Sequence, residues 1–166
     1  MIIIELFIML ILIYIILLLS YSLIFGAPFA SLGRERIKTM FELLDVKKGK
    51  KSIDIGSGDG RIVIASARHG LFAYGVEINP VVYLVSLLHI RRNNIKNANI
   101  LMKDFWQVDL SSYDYITVWG TKHMLRNLEK KLLTELKSGT KVASNHSRFP
   151  NWKHTKTKND VYLYIK

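Results

Sequence analysis

Between residues 51 and 65 the chain reads Lys-Ser-Ile-Asp-Ile-Gly-Ser-Gly-Asp-Gly-Arg-Ile-Val-Ile-Ala, and no other stretch limits the fold as strongly. A short apolar strand ending at Ile55 must turn through Gly56, Gly58 and Gly60 into a helix that starts at Arg61. Glycines at this spacing let the backbone take conformations closed to other residues and leave its N–H groups open above a strand's carboxyl end. A dinucleotide fingerprint, G-x-G-x-x-G, needs its third glycine at position 61, where this chain has Arg61. The pattern therefore points to a strand–turn–helix unit of an α/β sheet and away from NAD.

The rest of the chain continues that unit. Asn79-Pro80 follows the strand Phe72–Glu77 and starts a helix running to Arg91-Arg92, with Asn79 as cap and Pro80 in the first turn. Strands are expected at 99–102, 114–120 and 141–145, and a helix at 124–136 carries Leu125, Leu128, Leu132 and Leu136 on one stripe. Residues 152–166 read as two strands about an Asn159-Asp160 turn, the last completing the sheet's edge. Ser31 is the expected N-cap of a helix ending near Leu44. Strands alternating with helices over short links make a Rossmann-like, doubly wound, mainly parallel sheet.

Before this domain, Leu6 to Phe25 is twenty residues without a charge. At 1.5 Å per residue such a helix is about 30 Å long, the thickness of a bilayer's hydrocarbon core. The expectation is one N-terminal transmembrane helix, with anchor and junction at residues 1–26 and the domain at 27–166. A cleaved leader would want basic residues ahead of the apolar run, where only Glu5 is charged. Every Lys and Arg lies at or after Arg34, so the positive-inside rule puts the domain on the cytoplasmic side. Arg34, Arg36 and Lys38 follow closely enough to contact anionic lipid. With no cysteine and five scattered histidines, no metal site is expected. The net charge of +11 alone is no ground for a nucleic-acid partner, since no binding motif accompanies it.

Asp54, two residues before the first glycine, can accept from a ligand ammonium, and Glu77 at the end of the second strand can hold a ribose diol. Acidic-x-G-x-G-x-G followed by an acidic residue after the second strand resembles the first motifs of the seven-strand, class I methyltransferases that use S-adenosyl-L-methionine (SAM). That resemblance implies SAM held by Asp54, Gly56, Ser57, Gly58, Gly60 and Glu77, with Asp104 toward the adenine amine and Phe105 against its ring. Asp109 competes with Asp104 but precedes Leu110-Ser-Ser, as a turn residue would. The fourth strand ends in Trp119-Gly120 where these enzymes place the acceptor pocket. The Asn/Asp-Pro-Pro-Tyr/Phe motif of enzymes that methylate bases or glutamine is absent there. Trp119 can instead face an amine through its π surface or sit in the core, and His123 is either a base or a solvated loop residue.

The order Ala27-Pro28-Phe29, Asp54 to Arg61, Gly75-Val-Glu-Ile-Asn-Pro80, Trp119-Gly120, Ser144-Asn145 and Arg148-Phe149-Pro150 is similar to the membrane-anchored protein-lysine methyltransferases of the ATP synthase c-subunit and the adenine nucleotide translocase. The similarity implies methyl transfer to a lysine of a membrane or membrane-proximal protein. Alternatives are a small apolar or lipid-like acceptor, RNA, or a tethered interaction module without activity.

Overall fold

The computed structural model describes the backbone of residues 2–25 and 33–166, with side chains for 2–16 and 33–166. Helix α1 spans Ile2–Phe25, and its described side chains, Ile2 to Ile16, are all exposed. Among the described residues no helix is long and apolar enough to cross a membrane. The side chains of residues 17–25 of the expected span, the junction at 26 and the Ala27-Pro28-Phe29 and Ser31 positions lie outside the described residues.

Helix α2 (Arg34–Leu44) starts after Gly33, whose carbonyl accepts from Arg36 and Ile37, so its cap is a glycine and not the expected Ser31. Leu44 ends it as expected, with Asp45 in the left-handed conformation at φ 46°. There follow β1 (Lys51–Ile55), α3 (Arg61–Arg68), β2 (Phe72–Glu77), α4 (Pro80–Arg92), β3 (Ala98–Met102), a short 3₁₀ turn at Phe105–Gln107, β4 (Tyr115–Trp119), α5 (Lys122–Glu135), β5 (Lys141–Asn145), β6 (Lys156–Lys158) and β7 (Val161–Ile165). Helix α5 begins two residues ahead of the expected Met124 because the Thr121 hydroxyl accepts from the Met124 N–H and caps it.

The seven strands form one sheet in the order β3-β2-β1-β4-β5-β7-β6. β1 to β5 are parallel and β7 and β6 antiparallel. The last strand does not complete the edge: β7 lies between β5 and β6, and the short, exposed β6 is outermost. Burial explains the exchange, because Val161 to Tyr164 are all buried while Lys156, Thr157 and Lys158 are not. The pair turns through Asn159 and Asp160, both at positive φ, as the sequence indicates.

Helices cover both faces. On one, Met40, Phe41 and Leu44 of α2 meet Ile62, Tyr115, Ala143 and Leu163, while Val63, Ile64 and Ala67 of α3 pack with Ile90 and Ile100. On the other, Leu125, Leu128 and Leu132 of α5 pack on Ile53, Ile55, Ile116 and Val118. Strand order reverses between β1 and β4, and in such sheets the crevice at that point, outside the carboxyl ends, receives ligands.

Candidate functional site

At the reversal point the Ile55–Arg61 turn is fixed from below. Gly56, Gly58 and Gly60 have φ of 72°, 54° and 80°, the left-handed region where a Cβ is strained. The N–H groups of Gly56 and Ser57 both donate to the Val76 carbonyl at 3.0 Å, so the turn leans on β2. Gly75 makes room for it, since a Cβ there would lie 2.6 Å from Ser57 Cβ and 2.7 Å from Ile100 Cδ1. Above the turn a Cβ on Gly56 would meet nothing within 4 Å. Ser57 Oγ is buried and, among the described residues, has no hydrogen-bond partner.

Three carboxylates surround this turn. Asp54 is buried and accepts from the Thr117 hydroxyl at 2.7 Å. Burial pushes its pKa up to about 8, against the Thr117 hydrogen bond and helped by the charges of Glu77 and Asp59. Glu77 is held by two backbone donors, Gly58 N–H to Oε2 at 3.1 Å and Asn79 N–H to Oε1 at 2.8 Å. Each oxygen keeps a further lone pair for a diol. For Asp59, burial raises the pKa, but the hydrogen bonds and charge of Arg61 outweigh it and hold the carboxyl below its usual range. The Arg61 Nε lies 2.9 Å from both Asp59 oxygens, so this carboxylate serves the turn's own structure.

Asp104 and Phe105 follow β3, whose Met102 pairs with Glu77, so they sit on the Glu77 side of the crevice. One Asp104 oxygen accepts from the Trp106 N–H at 3.0 Å, and Phe105 is half-buried with its ring 4.5 Å from that of Trp106. Asp109 accepts from both the N–H and the hydroxyl of Ser111, a turn residue as its sequence neighbours indicate. Across the crevice, half-buried Trp119 packs against the α2 cluster. Gly120 has a packing role, because a Cβ there would lie 2.8 Å from Met124 Sδ in the first turn of α5. His123 is exposed on α5.

Two residues were given no site role by the sequence reading. Thr117 pairs in register with Asp54, and a polar residue inside Tyr-Ile-Thr-Val-Trp was the available signal. Asn145 pairs with Trp119 at the carboxyl end of β5 and is buried, and its Oδ1 has no partner among the described residues. Strand alternation sets Asp54, Thr117, Trp119 and Asn145 on one face of the sheet. Among the described residues no group of His, Cys, Asp or Glu could hold a metal.

Residues 54–156 match the family described as the ANTKMT methyltransferase domain. The chain is 36% identical over 126 residues to an ATP synthase c-subunit lysine N-methyltransferase of Xenopus laevis, an alignment covering 75% of this chain and 55% of that protein. The chain thus spans about half the length of that relative. It is 30% identical over 149 residues to a protein-lysine N-methyltransferase of Saccharolobus islandicus, covering 83% of this chain and 92% of the other. A solved RNA methyltransferase of Salinibacter ruber with S-adenosyl-L-homocysteine superimposes with a TM-score of 0.79 at 26% identity, covering 82% of this chain and 93% of that one.

Proposed function

This chain belongs to the ANTKMT methyltransferase domain family, and from that premise we propose that it is a SAM-dependent protein-lysine N-methyltransferase. The observation that carries the reading is the glycine turn held between Asp54 and Glu77 where the strand order reverses. The residues fit SAM: the buried, unpartnered Ser57 Oγ, the open space over Gly56 and the facing carboxylates suit a cationic nucleoside with a free diol. Glu77 would accept from the ribose hydroxyls and Asp54 from the ammonium. Asp104 would accept from the adenine amine, with Phe105 beside it. The group supplies a sulfonium-borne methyl, an electrophile that needs no metal.

The chain's own residues have to present a neutral amine. A lysine with a pKa near 10.4 costs roughly 4–5 kcal/mol to deprotonate at neutral pH in water, and an apolar wall lowers that cost by disfavouring the ammonium. Trp119 offers such a wall at the end of β4, with Gly120 and Asn145 beside it. The Asn145 carbonyl oxygen would accept an N–H of the amine and aim its lone pair, a positioning role worth part of the orientation advantage. On transfer the methyl carbon would exchange its bond to sulfur for one to nitrogen, the S–C electron pair staying on sulfur, and the methylammonium so formed would lose its proton to water.

In this reading α1 anchors the enzyme in a membrane with the domain on the cytoplasmic side, and the acceptor lysine lies on a membrane or membrane-proximal protein. The exposed apolar residues of α1 and the basic residues from Arg34 onward support it. The test is incubation of the full chain with methyl-labelled SAM and a membrane extract. Label is expected in a protein band, on lysine by mass spectrometry, and lost in Glu77→Ala. Label confined to the organic extract or to RNA would reject the substrate class, and absence of SAM binding by calorimetry would reject the enzyme.

A further inference from the structure

A helix covering one face of a sheet buries one stripe and gives its other side to polar residues. Helix α4 departs from this. Tyr83, Ser86, Leu87 and Ile90 face inward, with Ser86 buried 3.2 Å from where a Cβ of Gly60 would stand. The outer side repeats Val81, Leu84, Val85 and Leu88 at helical spacing, with exposures of 40, 57, 38 and 48%. Exposed Ile78 and Met102 extend the patch at the sheet's carboxyl end, and exposed Arg91 and Arg92 close its other end. β3, beside α4, is the sheet's edge strand, so among the described residues no further strand covers this flank.

We propose that the outer face of α4 rests on an anionic bilayer, with its aliphatic side chains among the headgroups and Arg91 and Arg92 against lipid phosphates. It rests on the reading that α1 holds the chain at a membrane. Aliphatic side chains suit the headgroup boundary, and arginines in line with them suit anionic lipid phosphates. The position also fits. Arg34, where the chain enters the domain after α1, lines a groove of about 560 Å³ together with His89 and Asn93, at the C-terminal end of α4. Eight residues separate Phe25 from Arg34, a reach of at most about 32 Å, so a membrane holding α1 lies close to this flank. Ile78 and Val81 then bring the lipid surface within about one helical turn of Glu77, at one side of the crevice.

The chain has no cysteine, so single cysteines report cleanly. Full-length Leu88→Cys and, as a control on exposed Lys130 of α5 across the sheet, Lys130→Cys are labelled with bimane. Each is reconstituted in phosphatidylcholine vesicles with or without phosphatidylglycerol and with headgroup-nitroxide lipid. The expected result is quenching of roughly two-fold or more at position 88 with phosphatidylglycerol and little at 130, as for side chains about 5–10 Å inside the headgroup boundary. The quenching should fall with added salt and in the Arg91→Glu, Arg92→Glu background. Flotation with vesicles but no quenching at 88, or equal quenching at both positions, overturns the proposal and leaves the α1 anchor standing. So does a blue shift at 88 that rises with protein concentration without lipid, or appears only on adding a substrate protein; these assign the face to a second copy or to that protein. Failure to float at all overturns both readings.

Discussion

At Asp54 the folded chain keeps a proton until about pH 8, whereas an unfolded aspartate releases it near 3.8. Between those values the folded state binds more protons, so stability falls as pH rises through the window. Asp54→Asn keeps an acceptor for Thr117 and removes the ionisation. It should therefore match the parent's melting temperature near pH 4 and exceed it by roughly 2–4 °C at pH 8, on the order of 1 kcal/mol, by calorimetry. A bound ammonium would favour the carboxylate, so SAM binding should release a proton below pH 8 and tighten by up to about tenfold per pH unit toward it. Titrations in buffers of differing ionisation enthalpy read this directly, and Asp54→Asn should abolish it. Thr117→Val strips a hydrogen bond from a buried carboxyl at a cost of about 1–3 kcal/mol. It should shift the pH dependence of SAM affinity upward while leaving the KM for the acceptor unchanged.

Among the elements, the turn and α4 are coupled through small residues. Gly75→Ala would drive a methyl into Ser57 and Ile100, atoms of the turn and of β3 that have little freedom to yield. The expected result is about 1–3 kcal/mol of destabilisation by denaturant titration and at least a roughly tenfold loss of SAM affinity, since the proposed cofactor contacts are those of the displaced turn. Asn79 caps α4 by accepting from Val81 and Val82 at 3.0 and 3.2 Å, and its own N–H orients Glu77. Asn79→Ala should lose about 1 kcal/mol with the cap while the backbone contact to Glu77 survives, so stability falls more than SAM binding does. The elements were legible where chemistry is local: glycines mark the turn, Asn-Pro the start of α4, and Asn-Asp the last hairpin. They were misplaced where it is not. A Thr121 hydroxyl closing on Met124 moved the start of α5, and the burial of β7 put it inside the sheet.

For the whole molecule, a ligand that binds only the folded state raises its stability, by about 2.7 kcal/mol at a hundredfold excess over Kd. SAM should accordingly raise the melting temperature of the full chain in detergent, and the shift should vanish in Glu77→Ala, measured by scanning calorimetry. By itself the sequence determined the kind of sheet, the glycine turn, the carboxylates at Asp54 and Glu77 and the apolar N-terminal helix, because backbone preference and hydrophobic period act between near neighbours. Only the tertiary structure decided that Thr117 holds Asp54 across 63 residues and that, among the described residues, Asn145 stands beside Trp119 with an unpaired oxygen and the outer face of α4 is left bare. Those facts depend on strand order and register, and these are set by how all the apolar faces close on one another, which no single segment encodes.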